Sequence, residues 1–246
     1  LRDVETIETE LLLADLEAVQ KQVEKYKKMA KGANKEAKAI LEGLEALETH
    51  LGDGKSAREF VAPDEISDTI TQLLTAKKTL YVANIDEEQL QQIITGELPA
   101  NVKALTDFAA ERNSEVVSIC GKLESEISEL PVEERAEMLD AVGLEKSGLD
   151  NLIMAGYRLL GLMTFFTVGP KETHAWTAEV GTLAPQCAGK IHSDFERGFI
   201  RAEVISYDDY IECKGEAGAR DAGKLRTQGK EYEMQDGDIV HFRFNV

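Results

Sequence analysis

The chain has 246 residues, enough for two or three compact units, and carries a formal charge of −18 from 46 acidic against 28 basic side chains. That balance argues against indiscriminate binding to nucleic acid, whose phosphates most of this surface would repel. No run of about eighteen apolar residues and no charged-then-apolar leader occurs, so neither a membrane span nor secretion is expected. Three widely spaced cysteines, Cys120, Cys187 and Cys213, suit neither a disulfide framework nor a zinc ribbon and point to a reducing cytoplasm.

The charge is uneven. Between Glu17 and Lys38 stand Lys21, Lys25, Lys27, Lys28, Lys31, Lys35 and Lys38 against Glu17, Glu24 and Glu36. In the same region Leu12, Leu16, Val19, Val23, Tyr26 and Ala30 alternate spacings of four and three, and Ala37, Ile40, Leu44, Leu47 and Leu51 do so again beyond a Gly32-Ala33-Asn34 break. Two heptad helices joined by a tight turn predict an antiparallel hairpin with its lysines toward the tip. A lysine-rich helix face is usually solvated surface; a phosphate-contacting arm is the sharper alternative. After a stretch from Leu51 to Pro63 that reads as a loop or the far base of the hairpin, with Gly52, Asp53, Gly54, Lys55 and Ser56 in it, a helix around Asp64 to Thr75 returns the chain to the body.

Thr79–Asn84 and Glu115–Cys120 are short apolar runs rich in β-formers, separated by a helical segment around Val102 to Arg112. Strand, helix and strand at this spacing form a βαβ unit of a parallel sheet. Ligands of open α/β sheets lie beyond the carboxyl ends of strands, so Asn84-Ile85-Asp86-Glu87 and Cys120-Gly121-Lys122 are the positions to weigh. Taken alone, each string reads more readily as an ordinary turn leading into a helix than as a nucleotide site.

The far end is β-rich. Thr164–Gly169 and His174–Gly181 predict a hairpin turning at Pro170-Lys171-Glu172, followed by a helix that Thr182 can cap and that buries Ala188, Ile191 and Phe195. Pro185 sits near its first turn, where a missing N–H costs little. Phe199–Ser206 and Ile239–Val246 are the last strands, the second entered through an Asp236-Gly237 turn. Two ribbons around a helix suggest a ubiquitin-like β-grasp. Trp176 and the Phe165-Phe166 pair are assigned to packing.

The segments Phe166–Gly169, His174–Thr177, Ala184-Pro185-Gln186, Gly189–Phe195 and Phe242–Val246 resemble the TGS domain that ends the YchF proteins, the Obg-like ATPases of the translation-factor GTPase class. The resemblance extends to Leu1–Glu5 and Glu10–Leu16, so it covers essentially the whole chain. It implies a fold of class α/β plus α+β. A partial parallel-sheet, P-loop GTPase-like domain would occupy residues 1–16 and 76–160. An inserted antiparallel coiled-coil hairpin would take 17–75, and a β-grasp TGS domain 163–246. Other TGS-bearing families, such as threonyl-tRNA synthetases, stringent-response enzymes and the Drg GTPases, carry the module in other company.

Within that resemblance, Asn84-Ile85-Asp86-Glu87 is similar to the base-reading Asn-Lys-x-Asp motif of GTPases in its altered form. A glutamate in place of aspartate loses the fit to the guanine N–H groups, while an asparagine amide matches the donor and acceptor of adenine. The resemblance thus implies ATP, with GTP second, as cofactor. Ile85 would cover one face of the base and Lys122 the other, with Cys120 and Gly121 closing over it by backbone N–H groups. Asp86 departs from the expected pattern and puts an extra carboxylate near the base.

Lys27, Lys28, Lys31 and Lys35 on the arm, and Lys190, His192 and Arg197 in the TGS-like segment, are the expected contacts to RNA or to the large ribosomal subunit. The implied protein is a cytoplasmic, ribosome-associated ATPase, its expected partners being the purine nucleotide and the ribosome, without a membrane and as a monomer. A phosphate-cradling loop, a magnesium carboxylate and switch regions are not visible. Gly218–Leu225 matches glycine and lysine spacing but has Leu225 where the metal-binding hydroxyl belongs, and reads as a surface helix. The resemblance therefore implies the C-terminal part of a longer P-loop ATPase, with magnesium and catalysis upstream and this chain inactive by itself. His50, His174, His192 and His241 show no zinc-ligand spacing, so no metal is expected here. The alternative function is a non-catalytic RNA- or ribosome-binding module.

Overall fold

The heptad spacing produces two long helices that pack along each other. The computed structural model describes residues 1–31, 34–169 and 172–245. It contains α1 (Arg2–Met29) and α2 (Lys35–Gly52), with Val19, Val23, Leu44, Leu47 and Leu51 at the centre of their contact and Leu12, Leu16, Tyr26 and Ile40 against it. Asp3 and Glu5 in the first turn of α1, and Lys27 and Lys28 in its last, match the helix dipole. Asn34 caps α2 by accepting the Ala37 N–H at 3.2 Å. Gly32 and Ala33 of the expected break lie outside the described residues. The expected boundary at residue 16 falls inside α1, which runs unbroken across it.

The single helix expected around Asp64 to Thr75 is instead a 3₁₀ turn, Asp64–Ile66, followed by the short α3 (Ser67–Gln72). Pro63 starts the turn, and Ile66 and Leu73 fold down onto the hairpin core. A six-residue helix forms here because tertiary burial, rather than intrinsic helix stability, holds it.

The βαβ reading matches β1 (Leu80–Asn84) and β2 (Glu115–Ile119), parallel and in register from Leu80 opposite Glu115 to Asn84 opposite Ile119. Their connection holds α4 (Glu87–Ile94), the helix that a plain turn at Asn84–Glu87 leads into, and α5 (Ala100–Ala110). The strands are followed by α6 (Gly121–Glu129), α7 (Val132–Val142) and α8 (Gly148–Leu160). Ala83, Ile85, Val102, Cys120, Leu123 and Ile127 form the core between strands and helices. The chain divides into two compact units, with the break after Leu152.

The second unit is built on a five-stranded mixed sheet. It comprises β3 (Leu162–Val168), β4 (Thr173–Glu179), β5 (Phe199–Ile205), β6 (Arg226–Gln228) and β7 (Ile239–Phe244), in the order β4-β3-β7-β5-β6. β3 and β4 pair as the expected hairpin; Pro170 and Lys171 of its turn lie outside the described residues, as does Val246 of the last strand. α9 (Ala184–Ile191) and α10 (Ser193–Arg197) follow β4, and α11 (Tyr207–Glu212) and α12 (Glu216–Asp221) follow β5.

Three local expectations change. The residue before α9 is Leu183, not Thr182, and its N–H is taken by the Gln186 side chain at 3.2 Å, while the Thr182 carbonyl accepts the Met234 N–H at 3.0 Å. The expected helix is broken at His192, whose extended backbone separates α9 from α10 and places Phe195 on the second. Phe165 and Phe166 part company because strand neighbours face opposite sides. Phe165 is fully buried with Met163, Cys187, Val204 and Phe242, and Phe166 is half-buried on the other face near Tyr207.

Candidate functional site

In-register parallel pairing carries the two strand exits to the same end of β1 and β2. Asn84 is exposed there, and its side-chain oxygen accepts the N–H of Gly121 at 3.4 Å. Gly121 opens α6, and a Cβ at this position would stand 3.3 Å from that same oxygen, so the absence of a side chain permits the approach. Cys120, the residue before α6, is buried and supplies no side-chain cap. The Gly121 N–H, the first of α6, therefore points at the exit of β1 with the partial positive charge of a helix start.

A second link joins the exits: the Lys122 ammonium lies 2.8 Å from the Glu87 carboxylate. Both side chains are exposed. The hydrogen bond and charge of Glu87 raise the Lys122 pKa above its ordinary value. Lys122 thus meets the glutamate of the motif, where it was expected to lie across a base.

Ile85 and Asp86 behave differently from expectation. Ile85 is 5% exposed and packs in the core with Leu123 and Ile127, while its N–H donates to the Ile119 carbonyl at 2.9 Å. Its side chain has no open face for a base, and the stacking role expected for it becomes a packing role. Asp86 spends its carboxylate on α4, accepting the Gln89 N–H at 2.8 Å in a capping box with the Gln89 side chain. That use was readable from the Asp-x-x-Gln spacing, as the whole of α4 was.

Glu124 is a further residue that sequence reasoning missed. It projects from α6 and accepts the N–H groups of Gly148 at 2.7 Å and Leu149 at 3.2 Å, fixing α6 against the start of α8. No local pattern announces a contact across twenty-four residues.

The remaining sites lie apart from this one in sequence. On α1 and α2, Lys28, Lys31 and Lys35 are exposed and have no ion pair among the described residues, whereas Lys27 meets Glu45 at 3.3 Å. In the second unit Lys190, His192 and Arg197 are exposed. His192 caps α10, its Nδ1 accepting the Asp194 N–H at 3.1 Å, and Arg197 pairs with Asp194. The Gly218–Leu225 string is no phosphate loop: Gly218 lies within α12, tight against the Cys213 carbonyl, and Lys224 pairs with Asp209 at 3.0 Å. Among the described residues, no three His, Cys, Asp or Glu side chains gather in a group that could hold a metal ion, and no helix is long and apolar enough to cross a membrane.

Residues 162–245 match the family described as YchF-GTPase_C, a protein of unknown function (DUF933). The chain is 48% identical, over 99% of its length and 66% of the relative's, to the ribosome-binding ATPase YchF of Bacillus subtilis. It is 44% identical to the protein of the same name from Haemophilus influenzae, over 100% of this chain and 67% of that one. The solved Schizosaccharomyces pombe YchF GTPase superposes with a TM-score of 0.80 at 32% identity, covering 98% of this chain and 65% of the other. The chain thus spans about two thirds of the length of these relatives, and it belongs to the YchF family.

Proposed function

We propose that this chain supplies the base-reading edge and the ribosome-facing surfaces of an ATP-preferring P-loop NTPase that works as a translation-associated switch. The observation that carries the reading is the double link between the strand exits, Asn84 to Gly121 and Glu87 to Lys122. It gathers an amide, a carboxylate and helix N–H donors at the carboxyl end of a parallel sheet, where α/β folds take their ligands.

In this reading Asn84 and the N–H groups of Gly121 and Lys122 face the purine, Glu87 disfavours guanine, and Cys120 and Ile85 form the packed floor beneath. The described residues offer no fit to a magnesium ion, so phosphate chemistry is assigned to no residue of this chain. Residues 1–16 and 76–160 would form the nucleotide-binding part, 17–75 the arm and 163–246 the TGS-like module. The names of the relatives, ribosome-binding ATPases, support a nucleotide-binding, ribosome-associated protein.

ATP and GTP titrations of the protein carrying the upstream third present in its relatives test it. ATP should bind more tightly, and Glu87→Asp should move the preference toward GTP. An extended protein that binds neither nucleotide removes the reading.

A second reading, a binding module without turnover, is favoured by the exposed Lys28, Lys31 and Lys35 on the arm, which have no ion pair among the described residues. Ribosome co-sedimentation should weaken with salt and when Lys27, Lys28, Lys31 and Lys35 are neutralised together. Unchanged sedimentation takes the arm out of the account.

A further inference from the structure

The second unit carries an aromatic arrangement that core packing does not fully use. Phe244, near the end of β7, stacks on Phe195 of α10 with ring centroids 3.9 Å apart and planes inclined by 25°. The inner ring, Phe195, packs against the hydrophobic core, while Phe244 remains 37% exposed. His192 lies beside the pair, its ring 6.0 Å from that of Phe195. A half-exposed ring at the end of a strand would ordinarily be mobile, yet Phe244 is held. The next residue, Asn245, donates its N–H to the Gly198 carbonyl at 2.9 Å, and its own carbonyl approaches so closely that a Cβ on Gly198 would stand 2.2 Å from it.

The polar groups around the stack are equally arranged. His192 is exposed, and its Nδ1 accepts the Asp194 N–H. The Asp194 carboxylate is occupied by Arg197. Arg243 is held by Glu203 at 2.9 Å. Lys190, two residues before His192 on α9, is exposed and without an ion pair among the described residues. Glu196 is the opposing charge, and it lies over Gly189 of α9.

We propose that the exposed side of Phe244, backed by Phe195 with His192 next to that inner ring, is a stacking platform for an unpaired base of single-stranded RNA, whose phosphate Lys190 meets. A fixed, partly exposed aromatic face beside an imidazole fits a nucleotide whose base is splayed from its strand, and does not fit a duplex, whose bases are stacked inside. The proposal deepens the reading of Lys190, His192 and Arg197 as RNA contacts and rests on it; it is independent of the lysine arm and of the base-reading edge.

The test uses the 246-residue chain and short RNAs containing 2-aminopurine, whose fluorescence is quenched on stacking. Single strands should bind with quenching, and the same sequence as a blunt duplex should not. Phe244→Ala should weaken single-strand binding by roughly tenfold or more, Phe244→Trp should retain it, and Lys190→Glu should weaken it without touching the rings. Neutralising Lys27, Lys28, Lys31 and Lys35 should leave the quenching in place, which separates this surface from the arm. Should Phe244→Ala fail to fold by circular dichroism, Lys190→Glu and Phe244→Trp carry the comparison. Absence of quenching in the unaltered chain, equal binding of the duplex, or equal quenching with Lys190→Glu and Phe244→Ala overturns the proposal. Quenching lost only with the arm variant also overturns it, placing the RNA on the hairpin.

Discussion

Asp15 and Thr75, sixty residues apart, are joined by two hydrogen bonds: the Asp15 carboxylate accepts both the N–H and the hydroxyl of Thr75 at 2.7 Å. The same carboxylate accepts the Leu74 N–H at 2.8 Å, and Asp15 is only 3% exposed. A buried acidic side chain on α1 thus closes the hairpin where the chain returns to β1. Removing it leaves buried donors without a partner, which costs more than the bond itself gained. Asp15→Ala should destabilise the first unit by about 2–4 kcal/mol, and Asp15→Asn, which keeps one acceptor oxygen, by less. Urea unfolding followed by hydrogen exchange at Leu74 and Thr75 checks the order. Equal losses for the two variants would contradict it.

The Glu87–Lys122 pair leads to a prediction about selectivity with little effect on stability. Both side chains are exposed, and surface ion pairs contribute little to folding. Lys122→Met should leave the melting midpoint where it is. If Glu87 faces the purine, Lys122 is what holds its carboxylate in the position that disfavours guanine, so releasing it should narrow the preference of the longer protein for ATP over GTP. The ratio of the two dissociation constants is the measurement, and an unchanged ratio would assign the pair to surface chemistry alone.

The parts of the fold that were legible are those with a repeating signal. Leu12 to Leu51 carried heptads, and Thr79–Asn84 and Glu115–Cys120 carried apolar runs, so α1, α2, β1 and β2 could be read directly. Two of the alterations came from chain reversals: His192 breaks a helix that the spacing of Ala188, Ile191 and Phe195 had joined, and Leu183 replaces Thr182 before α9. In the candidate site, strand periodicity already said that Ile85, two residues beyond Ala83, shares its buried face. The motif argument had overridden it. The Glu124 contact to Gly148 and the Asp15 contact to Thr75 depend on tertiary proximity, which no spacing within the chain reports.

Two tyrosines should ionise late. Burial, followed by a hydrogen bond to the Glu8 carboxylate, pushes Tyr81 up to about 12, and burial with a hydrogen bond to Asp238 does the same for Tyr232, also to about 12. Because the folded-state values lie above the unfolded value near 10, their contribution to stability is complete below about pH 10. It is lost as pH rises through the folded values near 12. Absorbance at the phenolate band should therefore show two of the six tyrosines titrating late in the folded chain and normally in urea. Tyr81→Phe and Tyr232→Phe should each remove one late step. A single titration at the ordinary value would show that neither hydrogen bond persists in solution.

Thiol chemistry should discriminate among the cysteines. Cys187 is fully buried, and burial pushes its thiol up to about 11, so its thiolate is scarce as well as inaccessible. Cys120 is buried in the core of the first unit, and Cys213 is half-exposed between α11 and α12. Alkylation of the native chain followed by mass spectrometry should label Cys213 first and leave Cys187 for last. Labelling of Cys187 at a rate like that of Cys213 would mean that the core under α9 opens readily.

Gly198 gives the sharpest structural prediction in the second unit. It precedes β5, and the carbonyl of Asn245 passes so near that an added Cβ would sit 2.2 Å from the oxygen and 2.9 Å from the carbon. Both neighbours are backbone atoms, so neither can swing aside as a side chain would. Gly198→Ala must push the end of β7 away from β5, breaking the Asn245 N–H bond to the Gly198 carbonyl and parting Phe244 from Phe195. Overpacking of this kind costs about 1–3 kcal/mol. Thermal unfolding of Gly198→Ala should therefore shift to lower temperature, and the aromatic-ring resonances of Phe195 and Phe244 should lose their mutual upfield displacement. Gly229→Ala, where the added carbon meets open space, is the control that should do neither.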